Sequence, residues 1–309
     1  MNALDAHRPT FMRGTFDWRE HGFHYAEESP ARLMLPSALS DRNPWFVMAA
    51  VVERAKNGDH GHADVLSRYF EQHAVDGLPQ VALLLTGDIG RERDLQLLAE
   101  ALKSADPLTR VYAAQGACLA GRLWLVPLMV DAWEAADTVE EHEMIGSRIA
   151  DLLEEKPGQE LANHAGSFPF KDVDGFIARS PAFRQVEAQL RILAEGEAEF
   201  PKLARARFMA LRSRRDMEYQ FIWRGAIWSM QSFLDRLIEG IRGGKPIFLP
   251  HFRHRFEAYT GIDCTSFFDV DGDPNFLGTM AVVEDFLESG AIDSYLPGHR
   301  YFFGHPIPD

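Results

Sequence analysis

Asp269, Asp271, Asp273 and Asn275 alternate with other residues in the run D-V-D-G-D-P-N, a pattern in which oxygen donors can converge on a calcium ion. A calcium loop of the EF-hand type requires glycine at its sixth position and a bidentate glutamate at its twelfth. Pro274 and Met280 stand there instead. The run therefore reads as an Asp-rich turn, with Asn275 capping the helix that follows. Its three carboxylates are also good receptors for Lys and Arg of a partner. His251 and His254 stand three apart, as two ligands on one helix face would, but Arg253 and Arg255 beside them oppose a cation. His60, His62, His299 and His305 are the other candidate nitrogen donors. No His-Glu-x-x-His pattern accompanies them, so no metal is expected. Gly87, Gly90 and Gly243-Gly244 match neither nucleotide fingerprint, and no Gly-x-Ser-x-Gly elbow occurs. Cys118 and Cys264 exclude a disulfide framework and a four-cysteine zinc site, and read as small buried hydrophobes. No catalytic residue and no cofactor is assigned.

Charge points to a different kind of function. The 309 residues carry a net charge of −14 with 46% hydrophobic content, enough for a real core and the wrong sign for a nucleic-acid binder. The acid is concentrated: residues 131–160 carry a net −8 and residues 257–309 a net −9, whereas 171–215 carry a net +4. Arg212, Arg214 and Arg215 form a small basic patch within that middle segment. Solvated helix faces and neutralisation between segments are the plain reading of this pattern. The functional reading is an acidic surface that speeds encounter with a basic protein. Its candidate contacts are Asp131, Glu134, Glu140, Glu141 and Glu143, together with Asp269, Asp271 and Asp273.

These residues are positioned by a chain that reads as all-α. Residues 1–44 form an irregular lead-in, expected to pack on the body through Phe11, Phe16, Trp18, Phe23 and Tyr25. Asn43-Pro44 then signals a helix start. Asp76, Asp106 and Asp137 open three segments at offsets of 30 and 31 residues, and Gly90-Arg91 and Gly121-Arg122 recur near the middle of the first two. Apolar helices are expected over Val81–Leu85 and Leu95–Leu102, then over Val111–Leu119 and Leu123–Trp133, with a third, acidic unit after Asp137. These segments resemble HEAT-like repeats of the short type, which implies a stacked α-solenoid over residues 45–165. Residues 166–309 are then a helical C-terminal region. Helices are expected from Ser180-Pro181 to Leu193 and from Phe200-Pro201 to Leu211. The longest is expected from Asp216 to Gly243-Gly244, on an apolar stripe from Tyr219 through Ile222, Trp223, Ala226 and Ile227 to Ile241. Lys245–Leu249 is a candidate short strand, a last helix spans Phe276–Glu288, and the aromatic tail is expected to lie pinned on the surface.

The C-terminal run from Phe256 to Asp309 adds a second resemblance. Gly261-Ile262-Asp263, the helix containing Val283-Glu284-Asp285-Phe286-Leu287 and the tail Arg300-Tyr301-Phe302-Phe303-Gly304-His305 resemble the ending of bacterial immunity proteins from polymorphic-toxin and type VI secretion loci. That resemblance implies an antitoxin-like protein that binds a cognate, basic effector toxin and blocks its active site. Two alternatives are a HEAT-type scaffold for endogenous partners and an enzyme using His251 or His299 with carboxylates of the C-terminal half. The charged N-terminus is not expected to act as a signal peptide, and no stretch approaches the roughly 20 apolar residues of a membrane span. A cytoplasmic location is expected, with no nucleic-acid or membrane partner.

Overall fold

The computed structural model describes residues 9–12, 17–26, 30–72, 77–154, 187–214, 217, 219–243 and 248–309, with the backbone alone over 187–198. Its described residues are predominantly helical, as expected, with two hairpins of two-residue strands. The chain gathers into two compact units, one of residues 1–94 with 228–309 and one of residues 95–227. The division falls inside the first repeat, and the units do not coincide with segments 1–44, 45–165 and 166–309.

In the second unit, α4 (Gln96–Ala101) leads into α5 (Pro107–Ala120), α6 (Val126–Glu134) and α7 (Val139–Leu153). Asp106 caps α5 by accepting from the Thr109 N–H, with Pro107 in the first turn, and Thr138 caps α7 by accepting from the Glu141 N–H. These are local rules: a short polar side chain satisfies amide groups that the first helical turn leaves orphaned. The two starts are joined by Arg110 and Glu141, whose Nη2 and Oε1 lie 2.6 Å apart and whose side chains are both buried. Their separation of 31 residues is the repeat period. The pair ties the first turns of α5 and α7 together.

Trp133 of α6 stacks on Phe200 at 4.4 Å and meets His142 edge-on at 4.5 Å. Phe200 belongs to α8 (Glu187–Arg212), which carries Pro201 in its interior. The helix expected to end at Leu193 and the one expected to open at Phe200-Pro201 are therefore one continuous helix; the expected start at Ser180-Pro181 lies outside the described residues. Proline there removes an amide donor and costs about 3 kcal/mol, which the burial of Phe200, Pro201 and Ala204 offsets.

The expected helix from Asp216 is a larger correction. Strand β1 (Ile222–Trp223) pairs antiparallel with β2 (Ala226–Ile227). The turn residues Arg224 and Gly225 both have positive φ, 53° and 68°, as a tight hairpin turn requires. The Arg224 and Gly225 amides donate to the Asp151 and Leu152 carbonyls at the end of α7, while the Ile222 amide donates to Gly121. Gly121 itself sits at φ 59°, where an added Cβ would meet the Phe221 ring at 2.2 Å.

In the first unit, Asn43 caps α2 (Pro44–Lys56) as expected, and α3 (Leu78–Ile89) begins at Gly77. Asp76, the opening residue of the first repeat, lies outside the described residues. The lead-in is tied down: Phe11, Trp18, Phe23 and Tyr25 are all buried, with the short helix α1 (Trp18–His21) among them. Phe16 lies outside the described residues. After Ser229, which caps it, comes α9 (Met230–Arg242), so only the second half of the expected long helix is helical. Leu249 opens α10 (Leu249–Thr260) rather than ending a strand; residues 245–247 lie outside the described residues. Asn275 caps α11 (Phe276–Glu288), as expected, by accepting from the Gly278 N–H. The tail closes with β3 (Tyr301–Phe302) against β4 (His305–Pro306), and its Phe303 and Gly304 amides donate to the Ala258 and Tyr259 carbonyls of α10. Cys118 and Cys264 are both buried. Among the described residues, no helix is long and apolar enough to cross a membrane.

Candidate functional site

The acidic residues singled out from the sequence separate into three kinds. Glu141 is withdrawn from any surface: it is 3% exposed, bound to Arg110 and to the Asp137 amide. It stabilises the α5–α7 contact and is not a partner-binding residue. Asp131 and Glu134 are exposed but engage Arg205 of α8, at 3.2 and 2.6 Å. The hydrogen bond from Arg205 holds the Glu134 carboxyl below its ordinary value. Here neutralisation by the basic middle segment accounts for the acid.

Glu140 and Glu143 are exposed on the opening turns of α7. On the same turns Val139 and Met144 are 43% and 45% exposed, and Leu108, in the first turn of α5, is 49% exposed. In the first unit, Asp269 builds the predicted turn: its Oδ1 accepts from the Asp271 and Asp273 amides at 2.9 and 3.0 Å. Asp271 and Asp273 are themselves exposed.

The most densely interacting polar groups centre on Glu257, which was not singled out from the sequence, beside Arg253, His254 and Arg255, which were weighed there only for metal binding. Helix α10 carries Arg253, His254, Arg255 and Glu257, all buried, in a region where ions persist only with partners. Glu257 accepts from the amides of Tyr25, Ala26 and Cys264 and from His24 Nδ1. Arg253 Nη2 lies 3.7 Å from Glu257 and donates to the Phe23 carbonyl. Burial raises the Glu257 carboxyl, but the His24 hydrogen bond and the Arg253 charge leave it below its ordinary value. His24 is raised in turn, chiefly by its hydrogen bond to Glu257.

Next to this hub, His254 Nδ1 accepts from the Phe23 amide at 3.1 Å. That assigns its proton to Nε2, which donates to Asp88 at 2.9 Å. The Tyr25 hydroxyl also donates to Asp88, at 2.6 Å. Burial, reinforced by Asp88, holds the Tyr25 phenol protonated well above its usual range. An Asp–His–Tyr arrangement invites a general-base reading, but both nitrogens of His254 are occupied by fixed protein groups. The constellation works as a clamp, sewing residues 23–26 to α10 and α3. A signal existed in the sequence, since R-H-R-F-E sits between aromatic and apolar residues. Its partners in the lead-in and in α3 lie more than 160 positions away and were not readable.

His24, Glu257 and Asp263 bring donor atoms within 4.8 Å of one another, which satisfies the spacing of a metal site. The occupancy of Glu257 argues otherwise. Three backbone amides and His24 already take up the lone pairs a cation would need, and the Arg253 guanidinium 3.7 Å away adds a like charge.

A second buried group ends α3. The Gly87 and Gly90 carbonyls accept from Arg300, Gly90 at 2.6 Å, and the Ile89 carbonyl accepts from His60 Nδ1 at 3.1 Å. Cationic and N–H donors suit these carbonyls, which a helix terminus leaves unpaired. Arg300, at the head of the tail motif, thus holds the tail to α3. Burial, with the Arg300 and His305 charges assisting, pushes the His60 imidazole down to about 4. The folded protein therefore disfavours the protonated form that the unfolded chain adopts below pH 6.5. The associated stability is present above 6.5 and is lost as the pH falls towards 4, by about 3 kcal/mol at 1.36 kcal/mol per pH unit. Urea unfolding across this window should show the loss. His60→Asn, which keeps a donor for Ile89 without a titrating ring, should flatten the slope; an unchanged slope would assign it to other groups.

The chain matches no protein-family model, no curated protein and no solved structure.

Proposed function

We propose that this chain is a cytoplasmic immunity protein that neutralises a basic effector toxin by covering the toxin's active site with an acidic surface. The observation that carries this reading is the open end of the α5–α7 pair. There Glu140 and Glu143 stand exposed with Val139 and Met144 in the first turns of α7, and Leu108 is exposed in the first turn of α5, the two helices being tied by the buried Arg110–Glu141 bridge. Apolar side chains with a charged border are the anatomy of a protein interface. A rigid backbone keeps the entropy cost of docking low. Carboxylates at this place would occupy the groove where a nucleic-acid-directed toxin holds phosphate.

The test is affinity capture on the tagged full chain from its native host, washed at low and at high salt. The expected result is one stoichiometric basic protein whose expression alone kills cells and whose toxicity this chain suppresses. Several weak partners without toxicity would favour an endogenous scaffold instead. Glu140→Lys/Glu143→Lys should slow association with the captured toxin by about 10-fold and flatten its salt dependence, because steering scales with charge complementarity. An unchanged association rate would remove this face from the interface.

A further inference from the structure

Val270 is 91% exposed and Leu277 86% exposed, the largest values among the described large hydrophobic side chains. Both belong to a single rigid construction. The Phe268–Pro274 pairing closes the loop whose tip carries Val270, and the Asp269 amide donates to the Asp273 carbonyl at 2.9 Å. The Asn275 amide donates to Phe267 at 2.8 Å, and Asn275 caps α11, whose first turn presents Leu277. Phe267 and Phe268 are buried beneath. Gly278 lies so close to the Ser266 carbonyl that an added Cβ would be 2.3 Å from it. Asp269, Asn275, Gly278 and Phe267 therefore hold the shape, and the fold has no use for Val270 or Leu277 where they stand.

The surroundings indicate what covers them. Residues 263–288 contain seven acids and no Lys or Arg. Of these, Asp271, Asp273, Glu284, Asp285 and Glu288 are exposed. An occupant must be apolar at its centre and basic at its border. A second copy of this chain would bring acid against acid, which opposes self-association.

We infer that Val270 and Leu277 are the anchors of a docking surface for a basic protein that offers an apolar pocket bordered by Lys and Arg; this rests on the immunity reading, the toxin being that protein. The acids first marked in this loop then act as a steering rim, while the apolar pair holds the complex. A pre-ordered loop loses little freedom on docking, and rim charges act mainly on association while desolvated contacts govern dissociation.

The experiment uses the full chain and the toxin captured by the wild-type protein. Val270→Ser/Leu277→Ser should weaken binding by about 30-fold through faster dissociation, with the thermal unfolding of the free protein unchanged because both side chains face water. Asp271→Asn/Asp273→Asn should instead slow association. Binding by the serine variant within about threefold of wild type would overturn the anchor assignment while leaving the immunity reading intact. A photo-crosslinking residue at position 277 should join the toxin; a crosslink to a second copy of the chain would overturn the assignment. Wild-type protein that captures no killing protein would remove the immunity reading and this surface together.

Discussion

Glu257→Gln should destabilise the unit that holds it by about 3–5 kcal/mol, the range for breaking a buried ion pair by removing one partner. Its melting temperature should fall by roughly 10 °C or more. The substituted amide would point N–H groups at the donors of Tyr25, Ala26, Cys264 and His24, which now converge on a carboxylate. It would also leave Arg253, 2% exposed, without its counter-charge. The loss should include local detachment of residues 23–26, visible as faster amide exchange at Tyr25 and Ala26 than in the rest of the unit. A shift of only 1–2 °C would mean that aromatic packing of Phe11, Trp18 and Phe23 holds the lead-in and that the hub is incidental. A specific gain in stability on adding zinc or manganese to the wild type would reverse the argument against a metal at His24, Glu257 and Asp263.

Arg110→Met should cost the second unit a similar 3–5 kcal/mol, because it strands Glu141 in the contact between α5 and α7. The double replacement Arg110→Met/Glu141→Leu should recover most of that loss, since apolar side chains of similar volume need no counter-ion. A coupling energy of about 2 kcal/mol or more in the double-mutant cycle would establish the pair as the tie between repeats. Additive losses would assign the register to apolar packing alone. The cycle also bears on function. If Arg110–Glu141 positions Glu140 and Glu143, the single variant should lose toxin affinity together with stability, and the repacked double variant should regain both.

Helix starts at Asn43-Pro44 and Asn275 were legible because they are set locally. A cap needs a short acceptor and a free amide two or three residues on. The turn at Asp269 was legible for the same reason, since its acceptor and both donors lie within five residues. The lead-in and the tail were legible as segments pinned to the body, because so many aromatic side chains must leave water.

Tertiary structure decided the remainder. Ile222, Trp223, Ala226 and Ile227 fit one helix face as well as they fit a hairpin; the hairpin forms because the Arg224 and Gly225 amides meet carbonyls at Asp151 and Leu152, some 70 residues upstream. Phe200-Pro201 read as the opening of a helix, but Phe200 docks on Trp133 and the helix already under way continues through it. Glu140, Glu141 and Glu143 look alike in sequence. Only the arrival of Arg110 from the neighbouring helix draws one of them inward and leaves the other two exposed. Residues within a turn of each other determine where elements begin and which faces are apolar. Whether a charge is a clamp or a contact depends on which distant group meets it, and folding alone makes that choice.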